Sequence, residues 1–413
     1  MLISALLPLG CQGQTSSTEA PLNAVVILVD TLRADRLGPW GVERETSPNL
    51  TAMAEGSVVF ADAVSPARWT VPSVVSVLSG VHVQTHRCCD VSTGDFVLHE
   101  ALTTLPEVLQ AAGYHTAGYS KSGPVNFTAG IEQGFTDFEG IPGADRAQGL
   151  TDHALLALET IPVEQPFFMY LHYMDPHTNY RAPDGWHEMW AGQTDSTVEG
   201  TDATLEAYLS GEQVPTGADV ERLMALYDEE IAYWDSDLSR IFYALEARGL
   251  MDSTVLIVIS DHGEQFGEHG SWGHRALNQE NIHVPWIMRI PGEAPQRIEA
   301  PVQLVDLAPT LAGVLGVAPA STWQGQDLRP LLAGEPIESV DRLIGQQSHA
   351  LIRPDGLKLH TDGPQLFDLS VDPGELEDLS LSQPEDLAEM QSALDALLEE
   401  CSALADELQL TAP

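Results

Sequence analysis

Basic residues are what this chain has least of relative to its size. Lys and Arg together number 18 against 61 Asp and Glu, a formal net charge of -43 at pH 7. Nucleic acid is excluded as a partner, because phosphate backbones are bound by cationic faces. A solvated acidic surface accounts for most of the excess. That surface sets a condition on any anionic substrate, since local cations or a metal must reverse the field where it binds. Cysteine is scarce as well. Cys11, Cys88, Cys89 and Cys401 are all there are in 413 residues, which is no disulfide scaffold. The vicinal pair could link to Cys401 or stay reduced. No segment carries about 18 uninterrupted apolar residues, so no spanning helix is expected. Aromatics are only 7%, yet hydrophobic residues reach 43%, enough for a sizeable core and too many for a disordered chain. The length suggests a large domain with an appendage, or two domains.

The N-terminus, MLISALLPLGC followed by QGQTSSTEAP, is a short apolar run ending in Gly-Cys and then a polar linker. It resembles the end of a bacterial lipoprotein signal, with Cys11 as the lipidated residue. No Lys or Arg precedes the run, which a start codon set too far downstream would explain. The expectation is an exported protein, periplasmic or membrane-anchored as a lipoprotein in a bacterium.

From Asn23 onward, strand-like and helix-like segments alternate. NAVVILVD (Asn23–Asp30) reads as a buried strand ending at a carboxylate. Ser47 and Pro48 mark a helix start. TVPSVVSVLSG (Thr70–Gly80) reads as a helix with Thr70 at its N-cap, Pro72 in the first turn and Gly80 at its end. PFFMYLHYMDPH (Pro166–His177) is a strand that again ends in Asp and His, and residues 217–249 carry a long helical pattern. VLIVISDHGEQFGEHGSWGH (Val255–His274) is an apolar run that stops abruptly at Asp261-His262, followed by glycines and ionisable side chains. The alternation predicts an α/β fold, an α/β/α sandwich around a largely parallel sheet. After Pro319 the texture changes to short strands with Gly/Asp turns and then an amphipathic helix, DLAEMQSALDALLEE. The expected division is therefore a targeting segment and linker over 1–22, a catalytic domain over 23–320 and a C-terminal α+β subdomain over 321–413, with a small antiparallel sheet and a closing helix.

Three of these strands end in groups that can bind metal: Asp30, Asp175 with His177, and Asp261 with His262. In a parallel sheet such ends lie on one edge, where open α/β sheets build their sites, so residues distant in sequence can converge. Asp-His-Gly alone could be an ordinary strand-ending turn; three such endings favour a joint site. Thr70 is the candidate nucleophile, although position alone is equally served by a plain helix cap. Its hydroxyl would lie in the positive end field of a helix, which suits an anion. A free alcohol is a poor nucleophile at neutral pH, and a divalent cation on its oxygen would lower its pKa and polarise a phosphoryl or sulfuryl oxygen. Asp30, Thr70, Asp261 and His262 form a mixed O/N donor set for one divalent ion, Ca, Mg, Mn or Zn, and exclude a soft thiolate site. Glu268 and His269 are expected to line the loop after the strand, and Asp175 to orient His172 or His177. His82, His86 and His115 read as surface or packing residues.

VDTLRADRLGPWG, TSPNLTAMAEGSVVFADAVSPARWTVPSVVSVLSG, GYHTAGY, FFMYLHYMDPHTNY, DHGEQFGEHGSWGH and LFDLSVDPGELEDLS occur in the order found in the sulfatase family of the alkaline phosphatase superfamily. The chain resembles that family over nearly its whole length from Asn23. The resemblance implies the same α/β/α sandwich with a smaller antiparallel subdomain, and a metal-dependent hydrolase of sulfate or related esters. It implies Asp30, Asp261 and His262 as metal ligands and Thr70 in the nucleophile position. Lys121 matches a lysine that clamps the substrate's anionic oxygens and His177 a histidine that contacts the ester. His274 falls where many members have a lysine, and could neutralise the anion or protonate the leaving group. The expected partner is a small anionic ester, free or on a glycan or lipid.

The departures from the family are chemical. Sulfatases carry a Cys or Ser at the nucleophile position, oxidised to formylglycine and followed by x-P-S-R. This chain has Thr70-Val71-Pro72-Ser73-Val74, and Thr31 replaces a second Asp. Threonine cannot give the aldehyde, and a sulfated threonine lacks the exit that an aldehyde hydrate offers. A phosphorylated threonine can be attacked at phosphorus by water. The pattern resembles the superfamily's threonine-nucleophile members, which leans the chemistry toward phosphate or phosphonate esters. Two alternatives are a phosphotransferase, moving a head group from a lipid or sugar donor, and a degenerate binding protein without turnover.

Overall fold

The computed structural model describes residues 20–88, 96–141, 146–162 and 164–410. Cys11 and Cys89 lie outside them. The strands of the main sheet are β1 (Asn23–Val29), β2 (Val58–Val64), β3 (His115–Ser120), β4 (Asp137–Gly140), β5 (Phe167–Tyr173) and β6 (Thr254–Ser260). A small ribbon, β7 (Gln265–Phe266) with β8 (Trp272–Gly273), follows, and β9 (His283–Arg289), β10 (Gln296–Ile298) and β11 (Val302–Gln303) complete the sheet. The order across it is β10-β2-β9-β6-β1-β5-β3-β4, with β11 also on β2. All its pairings are parallel except those of β9 with β2 and β6.

The residues of β1, β5 and β6 are all buried, as expected of central strands covered on both faces. The two faces feed separate cores. Ala24, Val26 and Leu28 pack with Phe168 and Tyr170, with Val255, Ile257 and Ile259, and with the helix Thr70–Ser79. Val25, Ile27 and Val29 pack with Met169, Leu171 and Tyr173 and with the helices Arg146–Thr160 and Gly217–Ala247. Helices on both faces make the expected α/β/α sandwich. Each fully buried Val, Leu or Ile contributes roughly 1.5–3 kcal/mol toward holding these layers.

A second sheet, β12 (Arg342–Gly345), β13 (His349–Ile352), β14 (Leu357–His360) and β15 (Gln365–Asp368), is an antiparallel meander. The closing helix Pro384–Glu407 covers it through Met390, Leu394 and Cys401. Cys401 is a free, buried thiol, so it does not bond Cys88. No helix among the described residues is long and apolar enough to cross a membrane.

Candidate active site

Strand register and the two-residue alternation of a strand bring the site together. Val29 pairs with Ser260 on one side and Tyr173 on the other. One step further, Asp30 and Asp261 lie side by side at the carboxyl edge of adjacent strands. Both continue the face of Leu28 and Ile259, as does His172, two after Tyr170. All three therefore face the layer that holds the helix Thr70–Ser79. That helix delivers Thr70 to them.

Thr70 is the first helical residue, with Trp69 at the N-cap and no side-chain cap bond, which corrects the expectation of a capping threonine. Its hydroxyl is committed elsewhere. Oγ1 lies 3.3 Å from Asp30 Oδ2 and 3.3 Å from His262 Nε2. His172 Nε2 lies 3.3 Å from the same Asp30 oxygen. His262 Nε2 is 3.5 Å from Asp30 Oδ1 and 3.6 Å from Asp261 Oδ2. Asp30, His172, Asp261 and His262 are completely buried.

The chain turns sharply after Asp30. Thr31 has a φ of 58°, a left-handed conformation that costs a β-branched residue about 1–3 kcal/mol. Tyr227 holds it there, its hydroxyl donating 2.7 Å to the Thr31 carbonyl, while the Thr31 amide donates 3.2 Å to Asp261 Oδ1. The His262 amide donates to the same oxygen at 3.0 Å. His262 Nδ1 is 2.9 Å from the Gly263 carbonyl. A carbonyl can only accept, so the proton sits on Nδ1 and Nε2 presents a bare lone pair to Thr70 and the two carboxylates.

The electrostatics are those of an unfinished cage. Burial pushes the Asp261 carboxyl well up, and Asp30 beside it adds to the rise. Burial would raise Asp30 too, but His177 and the hydrogen bond from His172 outweigh it and hold Asp30 far below the usual carboxylate range. Burial brings His262 down to about 3, with His274 contributing, so it stays neutral. Asp30 Oδ1 and Asp261 Oδ2 are buried and have no hydrogen-bond partner. Two buried carboxylates with orphaned oxygens, a bare imidazole nitrogen and a hydroxyl fit a divalent ion of hard or borderline character. The ligand atoms of Asp30, His172 and Asp261 all lie within 4.8 Å of one another, making them a candidate metal-binding group. His172 is the donor that the sequence reading passed over.

His274 and His177 form the outer layer. The His274 ring lies 4.7 Å from that of His262 and 5.3 Å from that of His177. His274 Nδ1 faces Glu264 Oε1 at 3.4 Å. Glu264 is fully buried with its second oxygen unpartnered. Burial would lower the His177 imidazole, but Asp30 and Glu264 overcome this and raise it. Both histidines line a cavity of about 1060 Å³ that opens above the cluster. Lys121 sits at the end of β3, its amide bonded 3.1 Å to the His172 carbonyl, and its side chain lines a neighbouring hollow with Asn126 and Phe138.

Other expected residues go elsewhere. Asp175 does not orient His172 or His177; it lies 3.5 Å from Arg146 Nη1, and Arg146 also holds Glu230 at 2.6 Å. The alternation that turns His172 toward Thr70 turns Asp175 to the opposite face, where Arg146 and Glu230 stand on their helices. Glu268 pairs with Arg33 at 2.8 Å. His269 stands with Glu280 and Glu375 in a separate cluster. Val74, at the position of the family's arginine, is buried in the apolar core.

This arrangement makes a candidate metal site at the carboxyl edge of an α/β/α sheet, and comparison with known proteins gives the class of the chain. The sequence model of the Sulfatase family matches residues 22–317. The chain belongs to that family, as a sulfuric- or phosphoric-ester hydrolase. It is 25% identical over 406 residues to the iduronate 2-sulfatase of Homo sapiens, covering 77% of this chain and 73% of that protein. It is also 25% identical over 405 residues to a multifunctional alkaline phosphatase superfamily protein of Trinickia caryophylli, covering 76% and 78%. The phosphonate monoester hydrolase structure from Agrobacterium radiobacter superposes with a TM-score of 0.74 at 20% identity, over 94% of this chain and 96% of that one.

Proposed function

We propose that the chain is a divalent-metal-dependent ester hydrolase in which Thr70 is the attacking group, with phosphate and phosphonate esters preferred over sulfates. The observation that carries this reading is the Thr70 hydroxyl, placed 3.3 Å from both Asp30 and His262 instead of capping its helix. Asp30, Thr70, Asp261 and His262 would hold one ion, with His172 beside Asp30. Such an ion, when bound, acidifies a hydroxyl and polarises a phosphoryl or sulfuryl oxygen. Thr70 Oγ1, its proton released to solvent, attacks in line, and the bond from phosphorus to the ester oxygen breaks as the new bond forms. His274, oriented by Glu264, gives the departing oxygen its proton. His177, raised toward its charged form, and Lys121 on the β3 side balance the anionic oxygens. Water then attacks the phosphorylated threonine at phosphorus, giving a proton to His274; the bond from phosphorus to Thr70 Oγ1 breaks, the threonine oxygen takes up a proton from solvent, and phosphate or phosphonate leaves.

The relatives bracket the substrate. An iduronate 2-sulfatase is named for a sulfated sugar and the structural neighbour for phosphonate monoesters. The substrate class proposed is a small anionic ester, free or borne on a glycan or lipid. Export, with Cys11 as a lipid anchor, would place the enzyme where such esters are met; the apolar run ending in Gly-Cys supports this.

The test is a side-by-side assay of aryl sulfate, aryl phosphate mono- and diester, and aryl phosphonate with Ca, Mg, Mn and Zn. Multiple turnovers of a phosphorus ester, faster than sulfate, are expected. Sustained turnover of sulfate alone would reject the phosphoryl preference. Protein that takes up an ion yet turns over none of the four would be a binding protein.

A further inference from the structure

The cavity above the cluster has aromatic walls at Trp69 and Trp272, and two guanidinium groups, Arg68 and Arg275, line it together with His177 and His274. Cations are rare in this chain, and most of its arginines are tied to carboxylates. Arg275 is one of these, 2.8 Å from Glu206, with both side chains exposed. Arg68 differs. It is half-buried, it stands two residues before Thr70, and its hydrogen bond goes to the backbone carbonyl of Arg275. Among the described residues no carboxylate lies within ion-pair distance of it. Burial works most against its charge, Asp362 favours it from beyond ion-pair reach, and Arg275 opposes it more weakly.

A half-buried guanidinium with no carboxylate in ion-pair distance is costly unless an anion completes it. The reacting group itself is met deeper, by the histidines and the Asp30 cluster. We infer that this cavity takes an ester whose non-reacting part carries a second anionic group, a carboxylate or a further sulfate or phosphate, received by the Arg68 guanidinium. The inference rests on the ester-hydrolase reading above and adds the substrate's second charge to it. A guanidinium fork matches such groups with two parallel hydrogen bonds. Trp69 and Trp272 would flank the ring that joins the two anions. Asp202, also on the cavity wall, disfavours a second anion on its own side, which favours the Arg68 side.

The test is calorimetric titration of the ion-loaded protein with two ring sulfonates that do not turn over. 4-Sulfobenzoate carries the second anion; 4-carbamoylbenzenesulfonate has the same shape without it. The corresponding biphenyl pair covers a longer spacing. At one spacing the dianion should bind about tenfold more tightly than its amide. Arg68→Gln should bring that ratio close to one, and Arg68→Lys should keep part of it. Glu206→Gln, which frees Arg275, should raise it. A ratio near one in the natural protein at both spacings overturns the inference, as does an undiminished ratio in Arg68→Gln. If Arg68→Gln does not fold, Glu206→Gln decides, and a ratio that does not rise overturns it. Failure of the hydrolase reading shows separately, as absent turnover of every aryl ester, because these ligands report binding alone.

Discussion

In the small sheet, Glu375 accepts from Lys358 Nζ at 2.7 Å, from His360 Nε2 at 2.8 Å and from the Gln279 amide at 2.7 Å, while Lys358 also donates to the Leu277 carbonyl at 2.6 Å. At the carboxyl edge of the large sheet, Asp30, Asp261 and Glu264 are just as buried, yet each keeps an oxygen with no partner. Both clusters are ionic and buried. The first is closed, in that Glu375, Lys358 and His360 answer one another's charges, and they tie the loop at Leu277–Gln279 to the C-terminal sheet. The second is open, and each orphaned oxygen costs about 1–3 kcal/mol. A fold keeps such a deficit where something binds. Saturation thus separates a structural ion pair from a working one, although burial and residue type are alike.

Removing the Thr70 hydroxyl is the most severe test of the open cluster. Thr70→Ala should lower kcat/KM for the best aryl ester at least about 1,000-fold, since the attacking atom is gone, and far-ultraviolet circular dichroism should be unchanged. Near-normal turnover in this variant would end the covalent route. The closed cluster should respond in stability instead. Glu375→Gln leaves the buried Lys358 ammonium without its counter-charge and should cost about 3–5 kcal/mol in denaturant unfolding, with turnover per folded molecule retained. A loss under about 1 kcal/mol would mean that the pair contributes little and the contrast fails.

Acid should act on the closed cluster in the same sense. Burial would raise the Glu375 carboxyl, but Lys358 and His360 bring it from 4.5 down to about 2. Burial lowers the Lys358 ammonium in spite of Glu375, so the benefit of the pair is read on the acid side. A folded pKa below the unfolded one means the stabilisation is complete above about 4.5 and lost as pH falls toward 2. The expected loss is about 3 kcal/mol over that span. Glu375→Gln should flatten this part of the stability profile, and an identical slope in the variant would assign the acid loss to other groups, His269 and Glu280 nearby among them.

The open cluster was more legible in sequence than the closed one. Asp30 and Asp261 stand at the ends of strong apolar runs, and a parallel sheet must bring such ends to one edge. Thr70 showed as a helix start, but its hydroxyl's true partners needed the fold. His172 could have been found by counting in twos: Leu28, Tyr170 and Ile259 fix one face, and Asp30, His172 and Asp261 continue it. The same count sends Asp175 to the other face, toward Arg146 and Glu230. Sequence proximity to His177 had pointed the wrong way. Lys358 with Glu375, and Arg68 beside Arg275, gave no local signal. Their neighbours are set by how the C-terminal sheet and the loops around Trp272 pack, and no periodicity along the chain encodes that.

The smallest effect separates the two clusters by sign. Asp261→Asn keeps Oδ1 to accept from the Thr31 and His262 amides, 3.2 Å and 3.0 Å away. Its new NH₂ replaces Oδ2, which lies 3.6 Å from the bare His262 Nε2, and Asp30 Oδ1, orphaned in the natural protein, is 3.5 Å from the same nitrogen. The amide can therefore supply donors where two carboxylates left none, and the burial cost and repulsion that push the Asp261 carboxyl up are removed. In metal-free protein this substitution should stabilise by about 1–2 kcal/mol, a rise of a few degrees in melting temperature at most. Added divalent ion should raise the melting temperature of the natural protein and leave that of Asp261→Asn unmoved, because the variant has lost a ligand. A metal-free Asp261→Asn less stable than its parent would show that the carboxylates at the sheet edge are held as tightly as Glu375 is. The distinction between a closed and an open cluster would then be lost.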